Sequence, residues 1–418
     1  MILERFVDGA RPAKVDGAVD RTTLDAARLI VDDVRTRGDV ALREYGQRFG
    51  DIGDDTMLID RAGLQSAFEA LPEAQQRLLE RVAARVRRFA EAQRNALRDI
   101  VVAVPGGQAG HTVAAVERAG CYAPGGRFPL PSSVLMTAVT ARAAGVESVW
   151  VASPRPAPVT LAAAWVAGAD ALLAIGGAQA IAAFAYGTAT VPRCDVIVGP
   201  GNRWVTAAKQ LVAGQLGIDM LAGPSELVVL ADASADAGLI AADLLAQAEH
   251  DPDAIPTLVT TDSALADAVE RELATQLNAL PSPNRETAAA ACKHGAVILV
   301  ADLDTAIDVC NDLAPEHLEV MVADPWSVAP RLNHYGGLFL GSGAAEVLGD
   351  YGTGPNHVLP TGGTARHTGG LSVLTFLRVR TWLEITDPTA AQGLTQDAAD
   401  LARLEGLEAH ARAADRRA

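Results

Sequence analysis

Residues 148–175, SVWVASPRPAPVTLAAAWVAGADALLAI, decide the fold. An apolar run opens the stretch (148–153), an Ala-rich segment follows (160–169), and a second apolar run closes it (171–175). Short apolar runs of this kind favour buried strands, and the Ala-rich segment between them favours a helix. Two such strands joined by a helix are typical of a parallel sheet that helices cover on both faces. The stretch therefore predicts an α/β fold with right-handed crossovers.

The same alternation continues along much of the chain. Further strands are predicted at residues 195–199, 218–222, 226–231, 256–261 and 296–301, and further helices at 178–187, 203–214, 235–249 and 263–277. Because the alternation restarts after Gly223, we predict two Rossmann-like parallel-sheet domains. The usual G-x-G-x-x-G fingerprint is missing from the sequence. The nearest match, GSGAAE (341–346), lacks the third Gly.

Four parts of the chain follow from this pattern. They are an N-terminal arm (1–19) with few core positions, a first α/β domain made of 20–121 together with 225–371, a second α/β domain (122–224), and a helical C-terminal tail (372–418). In the first domain, residues 24–38 and 74–95 carry apolar residues at three- and four-residue spacing, which predicts amphipathic helices. The pattern assigns no role to FLRVRTWLEITDPT (376–389).

The composition excludes several classes of protein. The formal net charge of −16 disfavours binding to nucleic acid or to anionic membranes. The sequence has no apolar run of signal-peptide type at its start, and no stretch reaches the roughly 18 apolar residues of a membrane span. The four cysteines show no CxxC spacing, which favours a reducing cytoplasm. Cys121 and Cys194 lie beside Gly-rich loops and could be nucleophiles, but small buried thiols fit better.

Gly-rich turns follow several of the predicted strands. They are YAPGGRFPLPSS (122–133), IGGAQA (175–180), GPGN (199–202) and AGPSE (222–226). Ligands of open parallel sheets bind at the carboxyl ends of strands, glycine lets the backbone approach a ligand, and helix N-termini favour phosphate. The turns suit a nucleotide site, although tight strand-to-helix turns explain them as well.

A polar stripe runs along the predicted helix at 235–249. Asp243, Gln247 and His250 are spaced by four and three residues, so they lie on one face of a helix that is otherwise Ala, Leu and Ile. One interpretation is a solvated face whose final His complements the helix dipole. The other is a metal site at the end of the helix, with His250 as a ligand.

Two further segments combine carboxylate and imidazole groups. The loop LGDYGTGPNHVLPT carries Asp350 and His357, which suit zinc binding or general-base chemistry, or alternatively a packed turn. Near the C-terminus, the five-residue spacing of Glu405 and His410 does not place them on one face of a straight helix. A bend at Gly406 could bring them together, and a plain solvated helix is the alternative.

Residues 314–319, APEHLE, join a predicted helix (302–312) to a predicted strand (318–322). Glu316 and His317 stand side by side at this joint. Such a pair can act as two separate general bases, because His titrates near neutral pH and Glu does so when desolvation raises its pKa. A connector whose polar residues face water explains the pair equally well.

Taken in order, these segments resemble the histidinol dehydrogenase family. The resemblance extends over about residues 2–415 and rests on YAPGGRFPLPSSVLM, IGGAQAIAAFAYGT, IVGPGN, DMLAGPSELVVLAD, LLAQAEHDPDA, APEHLE and GDYGTGPNHVLPTGGTAR. It implies a zinc enzyme that oxidises L-histidinol through L-histidinaldehyde to L-histidine, with two NAD. That reaction is the last step of histidine biosynthesis.

The resemblance also implies a role for each matching residue. The zinc ligands would be Gln247, His250, Asp350 and His410, the acid–base residues Glu316 and His317, and the NAD contacts Tyr122, Gln179 and Asn202. Substrate would contact Ser225 and Glu405 as well as His317 and the zinc ligands. His317 would take the alcohol proton and assist the second oxidation, while Glu316 would activate the water that hydrates the aldehyde. The first domain would carry the metal and catalytic residues, and the second would contact NAD.

The family is similar to an intertwined homodimer, which implies that the tail with Glu405 and His410 reaches the partner's active site. Related dehydrogenases share the scaffold and the zinc site but oxidise other small alcohols, including sulfonated diols. RLEGLEAH (403–410) favours histidinol, since a carboxylate suits a cationic substrate and repels a sulfonate. A zinc hydrolase in which Glu316 activates water directly is a further alternative, but it needs no dinucleotide loops.

Overall fold

The structure of the chain is a computed structural model that describes residues 2–7, 19–53, 56–125 and 129–418. Most of the predicted N-terminal arm, residues 8–18, lies outside the described residues. So do residues 126–128 of the first Gly-rich turn.

Strands and helices alternate as the sequence predicts. The strands are β1 Glu4–Phe6, β2 Leu58–Asp60, β3 Ile100–Val104, β4 Gly107–Ala115, β5 Arg118–Tyr122, β6 Ser148–Ala152, β7 Ala171–Leu173, β8 Val196–Val198, β9 Gly217–Ile218, β10 Glu226–Ala231, β11 Ile255–Thr260, β12 Ala296–Leu299, β13 His317–Met321, β14 Gly337–Leu340 and β15 Leu377–Ile385. The helices are α1 Arg21–Arg37, α2 Asp39–Arg48, α3 Arg61–Glu69, α4 Glu73–Asn95, α5 Pro131–Val134, α6 Thr140–Ala144, α7 Pro158–Ala167, α8 Gly177–Tyr186, α9 Arg203–Val212, α10 Ala237–Ala248, α11 Ser263–Ala279, α12 Asn284–Ala291, α13 Leu303–Leu313, α14 Pro325–Val328, α15 Glu346–Asp350, α16 Gln392–Leu404 and α17 Glu408–Asp415. A π-helical turn, Leu135–Val139, joins α5 to α6. In the described part of the chain, no helix is both long enough and apolar enough to span a bilayer.

The first sheet has the strand order β1-β12-β11-β10-β13-β14, and all of its neighbouring strands are parallel. Every residue of β13, an interior strand, is buried, as both faces of a covered parallel sheet require. The edge strand β1 comes from the predicted arm, and Leu3 beside it is buried. The arm therefore supplies a strand and a core residue to this sheet.

The second sheet has the order β2-β7-β6-β5-β8-β9. Its strands are parallel except for β2, which runs antiparallel to β7 at one edge. The opening stretch of the sequence forms β6, α7 and β7 of this sheet. The prediction of two parallel-sheet domains without the glycine fingerprint is confirmed.

The third sheet is antiparallel, with the order β15-β4-β3. It takes up most of the segment 376–389 whose role the sequence pattern left open. The C-terminal tail was predicted to be helical, but only α16 and α17 bear this out, because β15 precedes them as a strand. Alternation along LRVRTWLEI is the period-two signal that fits this strand.

The packing of α1–α4 differs from the predicted grouping of 20–121 with 225–371. Buried residues of these helices, such as Val31 and Val86, share one core with the second sheet. The first sheet has separate clusters on its two faces, formed mainly by residues 227–332. The spacing of apolar residues shows which face of a helix is buried, but it does not show which sheet covers that face.

Candidate active site and metal centre

Glu316 and His317 lie at the amino end of β13, where both are fixed by one residue of the neighbouring strand. The Glu226 N–H donates to Oε2 of Glu316 at 3.0 Å, and Nδ1 of His317 lies 3.1 Å from the Glu226 carbonyl oxygen. Glu226 is the first residue of β10, which pairs with β13 in parallel register. This end of the sheet is opposite to the carboxyl ends at which ligands of open parallel sheets usually bind.

His317 is buried, and its two ring nitrogens have different environments. A carbonyl oxygen only accepts hydrogen bonds, so Nδ1 carries the proton that is donated to Glu226. Nε2 has no hydrogen-bond partner among the described residues, and it lies 3.8 Å from Oδ1 of Asp350. Burial lowers the pKa of His317 to about 3, with the positive potential of His250 and His357 acting in the same direction. The ring is therefore neutral at pH 7, with a free lone pair on Nε2.

Burial also dominates the chemistry of Glu316. Its pKa is raised well above the ordinary value, first by desolvation and then by the negative charges of Glu226 and Asp350. Hydrogen bonds from the Glu226 N–H and the Ser225 hydroxyl oppose this shift. A carboxyl group in such a setting can serve as a general base near neutral pH. Ser225, predicted to contact substrate, therefore lies directly beside the acid–base pair.

Three candidate metal ligands converge between two helices. His250 follows the end of α10, while Glu346 and Asp350 begin and end α15. One ligand atom from each lies within 4.8 Å of the other two. Nitrogen and oxygen ligands lie about 2.0–2.2 Å from a zinc ion, which places tetrahedral ligand atoms roughly 3.3–3.6 Å apart, so the three atoms would have to move closer together to hold the ion. The predicted ligands His250 and Asp350 are thus brought together.

Gln247, a third predicted ligand, is buried on the same face of α10. With its amide nitrogen turned toward Glu346, it donates to both carboxyl oxygens at 2.9 Å. In this orientation, Oε1 of Gln247 points away from the Glu346 carboxyl. Glu346 therefore lies beside the predicted ligands His250 and Asp350, and it also accepts hydrogen bonds from the predicted ligand Gln247.

The end of α15 at Asp350 is held in place by His357. Nδ1 of His357 lies 3.0 Å from the Asp350 carbonyl oxygen, and burial lowers the pKa of this ring to about 4. Burial raises the pKa of the Asp350 carboxyl to about 6, although His250 opposes that shift. Because its pKa is lowered, His357 is neutral near pH 7. Its ring donates a hydrogen bond to the Asp350 carbonyl oxygen.

Glu319, a further buried acid, extends the cluster beyond Glu346 toward Asp243 on α10. The Glu346 N–H donates to Oε1 of Glu319 at 2.6 Å, while Oε2 of Glu319 meets no donor among the described residues and faces the Asp243 carboxyl. Burial and the charge of Asp243 raise the pKa of Glu319 to about 8. Two residues of the polar stripe on α10 therefore face carboxyl groups. Asp243 faces Glu319, and Gln247 faces Glu346. Neither Glu319 nor Glu346 was predicted from the sequence, since each occurs singly in an apolar or Gly-rich stretch.

The predicted NAD contacts Tyr122 and Gln179 lie at the carboxyl ends of strands in the second sheet. The Tyr122 hydroxyl accepts a hydrogen bond from the Gly177 N–H at 3.1 Å, and burial raises its pKa to about 12. The Gln179 amide donates to Oδ2 of Asp51 at 3.4 Å, and the Gly176 N–H donates to the same oxygen at 3.0 Å. The structure therefore adds Asp51, from the α2–β2 connection, to the Gly-rich turn at 175–180.

Asn202, the third predicted NAD contact, caps the N-terminus of α9. Its side-chain oxygen accepts from the N–H groups of Trp204 at 3.0 Å and Val205 at 3.3 Å. It follows the Gly-rich turn at the end of β8. Helix starts next to strand ends are sites where backbone N–H groups can meet phosphate.

The tail residues Glu405 and His410 are exposed in the single chain, and neither belongs to the metal cluster of the described residues. Of the alternatives for this segment, a break at Gly406 is the one present, because α16 ends at Leu404 and Gly406 has φ +75°. Arg403 forms an ion pair with Asp415 that ties α16 to α17.

The cysteines are buried and unpaired. Burial raises the thiol pKa of Cys121 to about 12, and it raises that of Cys194 as well. Neither thiol ionises near neutral pH, which agrees with the interpretation of both as core residues.

Three comparisons with known proteins bear on this site. The sequence model of the histidinol dehydrogenase family matches residues 15–418. A histidinol dehydrogenase from Thermus thermophilus is 47% identical over 411 residues, covering 98% of each chain. One from Parasynechococcus marenigrum is 44% identical and covers 99% of this chain and 94% of its own. A solved histidinol dehydrogenase from Elizabethkingia anophelis superposes with a TM-score of 0.92 at 29% identity, covering 100% of this chain and 98% of the other.

Proposed function

The chain belongs to the histidinol dehydrogenase family, and from this premise we propose that it oxidises L-histidinol to L-histidine through L-histidinaldehyde, with zinc and two NAD. The observation that carries the proposal is the placement of two different buried bases, Glu316 and His317, beside the cluster of His250 and Asp350. Two successive oxidations at one carbon need two kinds of proton removal. One is from an alcohol and the other is from water.

His317 removes the proton of the substrate hydroxyl. Its Nδ1–H is committed to the Glu226 carbonyl, so the tautomer is fixed with the lone pair on Nε2. Nε2 faces the Asp350 side of the site. A neutral, buried imidazole can accept a proton in the first oxidation and again from the hydrated aldehyde in the second.

Glu316 activates the water that adds to the aldehyde. Its carboxyl is held by the Glu226 N–H and the Ser225 hydroxyl, and burial raises its pKa toward the range of a general base. Oε2 of Glu316 lies 3.7 Å from Nδ1 of His317, so the two side chains are neighbours, and in this proposal both bases serve a single reaction centre. Ser225 orients this carboxyl and lies within reach of the same substrate.

The donor set fits zinc, which accepts nitrogen and oxygen ligands. Gln247, His250 and Asp350 would hold the ion, together with His410. When bound, zinc would anchor and orient the substrate's nitrogen atoms, and NAD would accept a hydride in each oxidation. Glu346 holds the Gln247 amide through two hydrogen bonds, which fixes the direction of its oxygen.

The nucleotide would lie along the carboxyl ends of the second sheet. Tyr122, Gln179 and Asn202 come from neighbouring turns there, and each has a fixed side chain. A side chain at Gly177 would crowd this turn, since its φ is +63° and a Cβ atom would lie 2.8 Å from Oε1 of Gln179. Such close backbone approach is typical of dinucleotide-binding loops.

Glu405 and His410 complete the site from a second copy of the chain in this proposal. Both side chains are exposed, and they sit on the helical segment that follows the third sheet. A homodimer with exchanged tails would bring His410 to the partner's zinc and Glu405 to the partner's substrate. Subunits carrying His410→Asn and His317→Asn would each be inactive, and mixing them would partly restore activity.

The activity is tested by following NADH formation with L-histidinol and, in parallel, with other small alcohols, including a sulfonated diol. The proposal expects NADH from L-histidinol, loss of activity with a chelator, and recovery when zinc is added. NADH formation only with another alcohol would identify a related zinc- and NAD-dependent dehydrogenase instead. NADH formation that survives complete metal removal would contradict the role of zinc.

A further inference from the structure

Two charged side chains form hydrogen bonds with the backbone of Gly199, one with its N–H and one with its carbonyl oxygen. Its N–H donates to Oδ2 of Asp219 at 2.7 Å, and its carbonyl oxygen accepts from Nζ of Lys209 at 2.8 Å. Lys209 and Asp219 also form an ion pair with each other. Lys209, Asp219 and the backbone of Gly199 thus close a ring of interactions directly after β8.

No other residue type fits the position of Gly199. Its φ of +115° belongs to the region that favours glycine, and a Cβ atom would lie 2.0 Å from the Tyr122 carbonyl oxygen. The turn therefore runs against the end of β5, where the predicted NAD contact Tyr122 lies. Three residues further on, the same turn ends at Asn202, which caps the N-terminus of α9.

The ion pair is unusual for this protein because it is fully enclosed. The Lys209 and Asp219 side chains are 3% and 0% exposed. In every other pair of a Lys or Arg with a carboxylate in the described part of the chain, both side chains are at least 25% exposed. Burying two charges is costly, and neutral groups of similar size often stabilise a fold as well. Stability alone does not account for the pair.

We propose that Lys209 and Asp219 are positioning residues for the dinucleotide, acting as a clamp that holds the turn 199–202. The inference rests on the proposed function, since it takes the end of the second sheet as the NAD site. The clamp holds the two peptide groups that flank the Cα atom of Gly199. Loss of either charge lets the turn shift relative to Tyr122 and to the start of α9, and this weakens NAD binding without touching the acid–base pair.

The test is a neutral double variant, Lys209→Met/Asp219→Asn, compared with Asp219→Asn alone. Methionine matches the lysine stem in length, and asparagine keeps an oxygen acceptor for the Gly199 N–H, so no buried charge is left unpaired. We expect the KM for NAD to rise about tenfold or more, because small displacements of binding groups are costly, while the KM for L-histidinol stays within about twofold. NAD affinity measured by calorimetry should fall by the same factor.

A matched control lies in the same sheet. Arg142 and Asp170 form an ion pair at the amino ends of β6 and β7, where Asp170 also accepts from the Val149 N–H. Asp170→Asn is expected to leave the KM and the calorimetric affinity for NAD unchanged. Thermal unfolding of all variants distinguishes a variant that has lost its fold from one that has lost only its affinity for NAD.

Each outcome decides the inference. A folded double variant, or a folded Asp219→Asn protein, that binds NAD like the parent would overturn it. Equal losses of NAD affinity in Asp219→Asn and Asp170→Asn would also overturn it, since the effect would then be one of general stability. If the parent protein binds NAD but does not oxidise L-histidinol, the proposed substrate fails while calorimetry still tests the clamp. A parent protein that binds no NAD would overturn both.

Discussion

The Glu226 carbonyl fixes the tautomer of His317: Nδ1 lies 3.1 Å from that oxygen and must carry the proton, which leaves Nε2 as the only basic atom of the ring. The backbone N–H of the same Glu226 holds the Glu316 carboxyl. One residue at the start of β10 thus orients both proposed bases. The following predictions concern these bases and the acid groups around them.

Replacement of His317 by asparagine should abolish both oxidations. Asparagine keeps a polar side chain but cannot accept the substrate proton at a basic ring nitrogen, so we expect kcat with L-histidinol to fall at least about 10²-fold. NADH formation in steady state measures this. The exposed His294 provides a control, and His294→Asn should leave kcat unchanged. Full turnover of histidinol by His317→Asn would refute the assigned role.

Replacement of Glu316 by glutamine should separate the two oxidations. Glutamine still accepts the Glu226 N–H but cannot activate water, so turnover of L-histidinaldehyde should fall about 10²-fold and more than the first oxidation of L-histidinol. Rapid-mixing measurements of the first and second NADH would resolve the steps. Equal slowing of both steps would show that Glu316 is not the water base.

Replacement of Glu346 by glutamine should weaken zinc binding. The Glu346 carboxyl accepts both N–H groups of the Gln247 amide, and it lies in the cluster with His250 and Asp350. We expect zinc affinity to fall about 10- to 100-fold, as measured by competition with a chromophoric chelator. Glu249→Gln is the control, since the Glu249 carboxyl bonds to Asn284 instead. Unchanged zinc affinity in the Glu346 variant would remove this residue from the metal centre.

Replacement of Glu319 by glutamine should stabilise the metal-free protein at alkaline pH. The pKa of Glu319 is raised from 4.5 to about 8, first by burial. Between these two values the folded chain holds a proton that the unfolded chain releases, so the contribution of this group to stability falls as pH rises. Glutamine does not ionise, so the variant does not lose stability in this way as pH rises. Its amide can also donate a hydrogen bond to the Asp243 carboxyl.

Urea unfolding in the presence of a chelator measures the effect. The variant should gain about 1–3 kcal/mol over the parent at pH 8 and little at pH 5. A difference that is the same at both pH values would mean that Glu319 does not titrate in this range.

Much of the fold is predictable because its signals are local. Apolar strands alternating with Ala-rich helices predict both parallel sheets, and the joint at 314–319 connects α13 to β13 and includes the start of β13. The polar stripe on α10 likewise marks Gln247 and His250 as neighbours from spacing alone. These features depend on residues that are close in sequence.

The remaining features depend on contacts between distant parts of the chain. Glu319 and Glu346 meet only when β13 packs beside α15, so no spacing rule reveals them. The rule that ligands bind at the carboxyl ends of strands applies to the predicted NAD turns. It misses the acid–base pair, which lies at the amino end of β13. The end of α10 returns to that edge of the sheet and brings His250 with it.

The central claim is that one site with two bases performs two oxidations at the same carbon. The most direct measurement is the amount of NADH formed from a limiting amount of L-histidinol with excess NAD, run to completion. Two NADH per histidinol, with L-histidine as the product, is the predicted result. One NADH per histidinol, with accumulation of the aldehyde, would contradict the assignment of Glu316 and His317 as bases for successive steps.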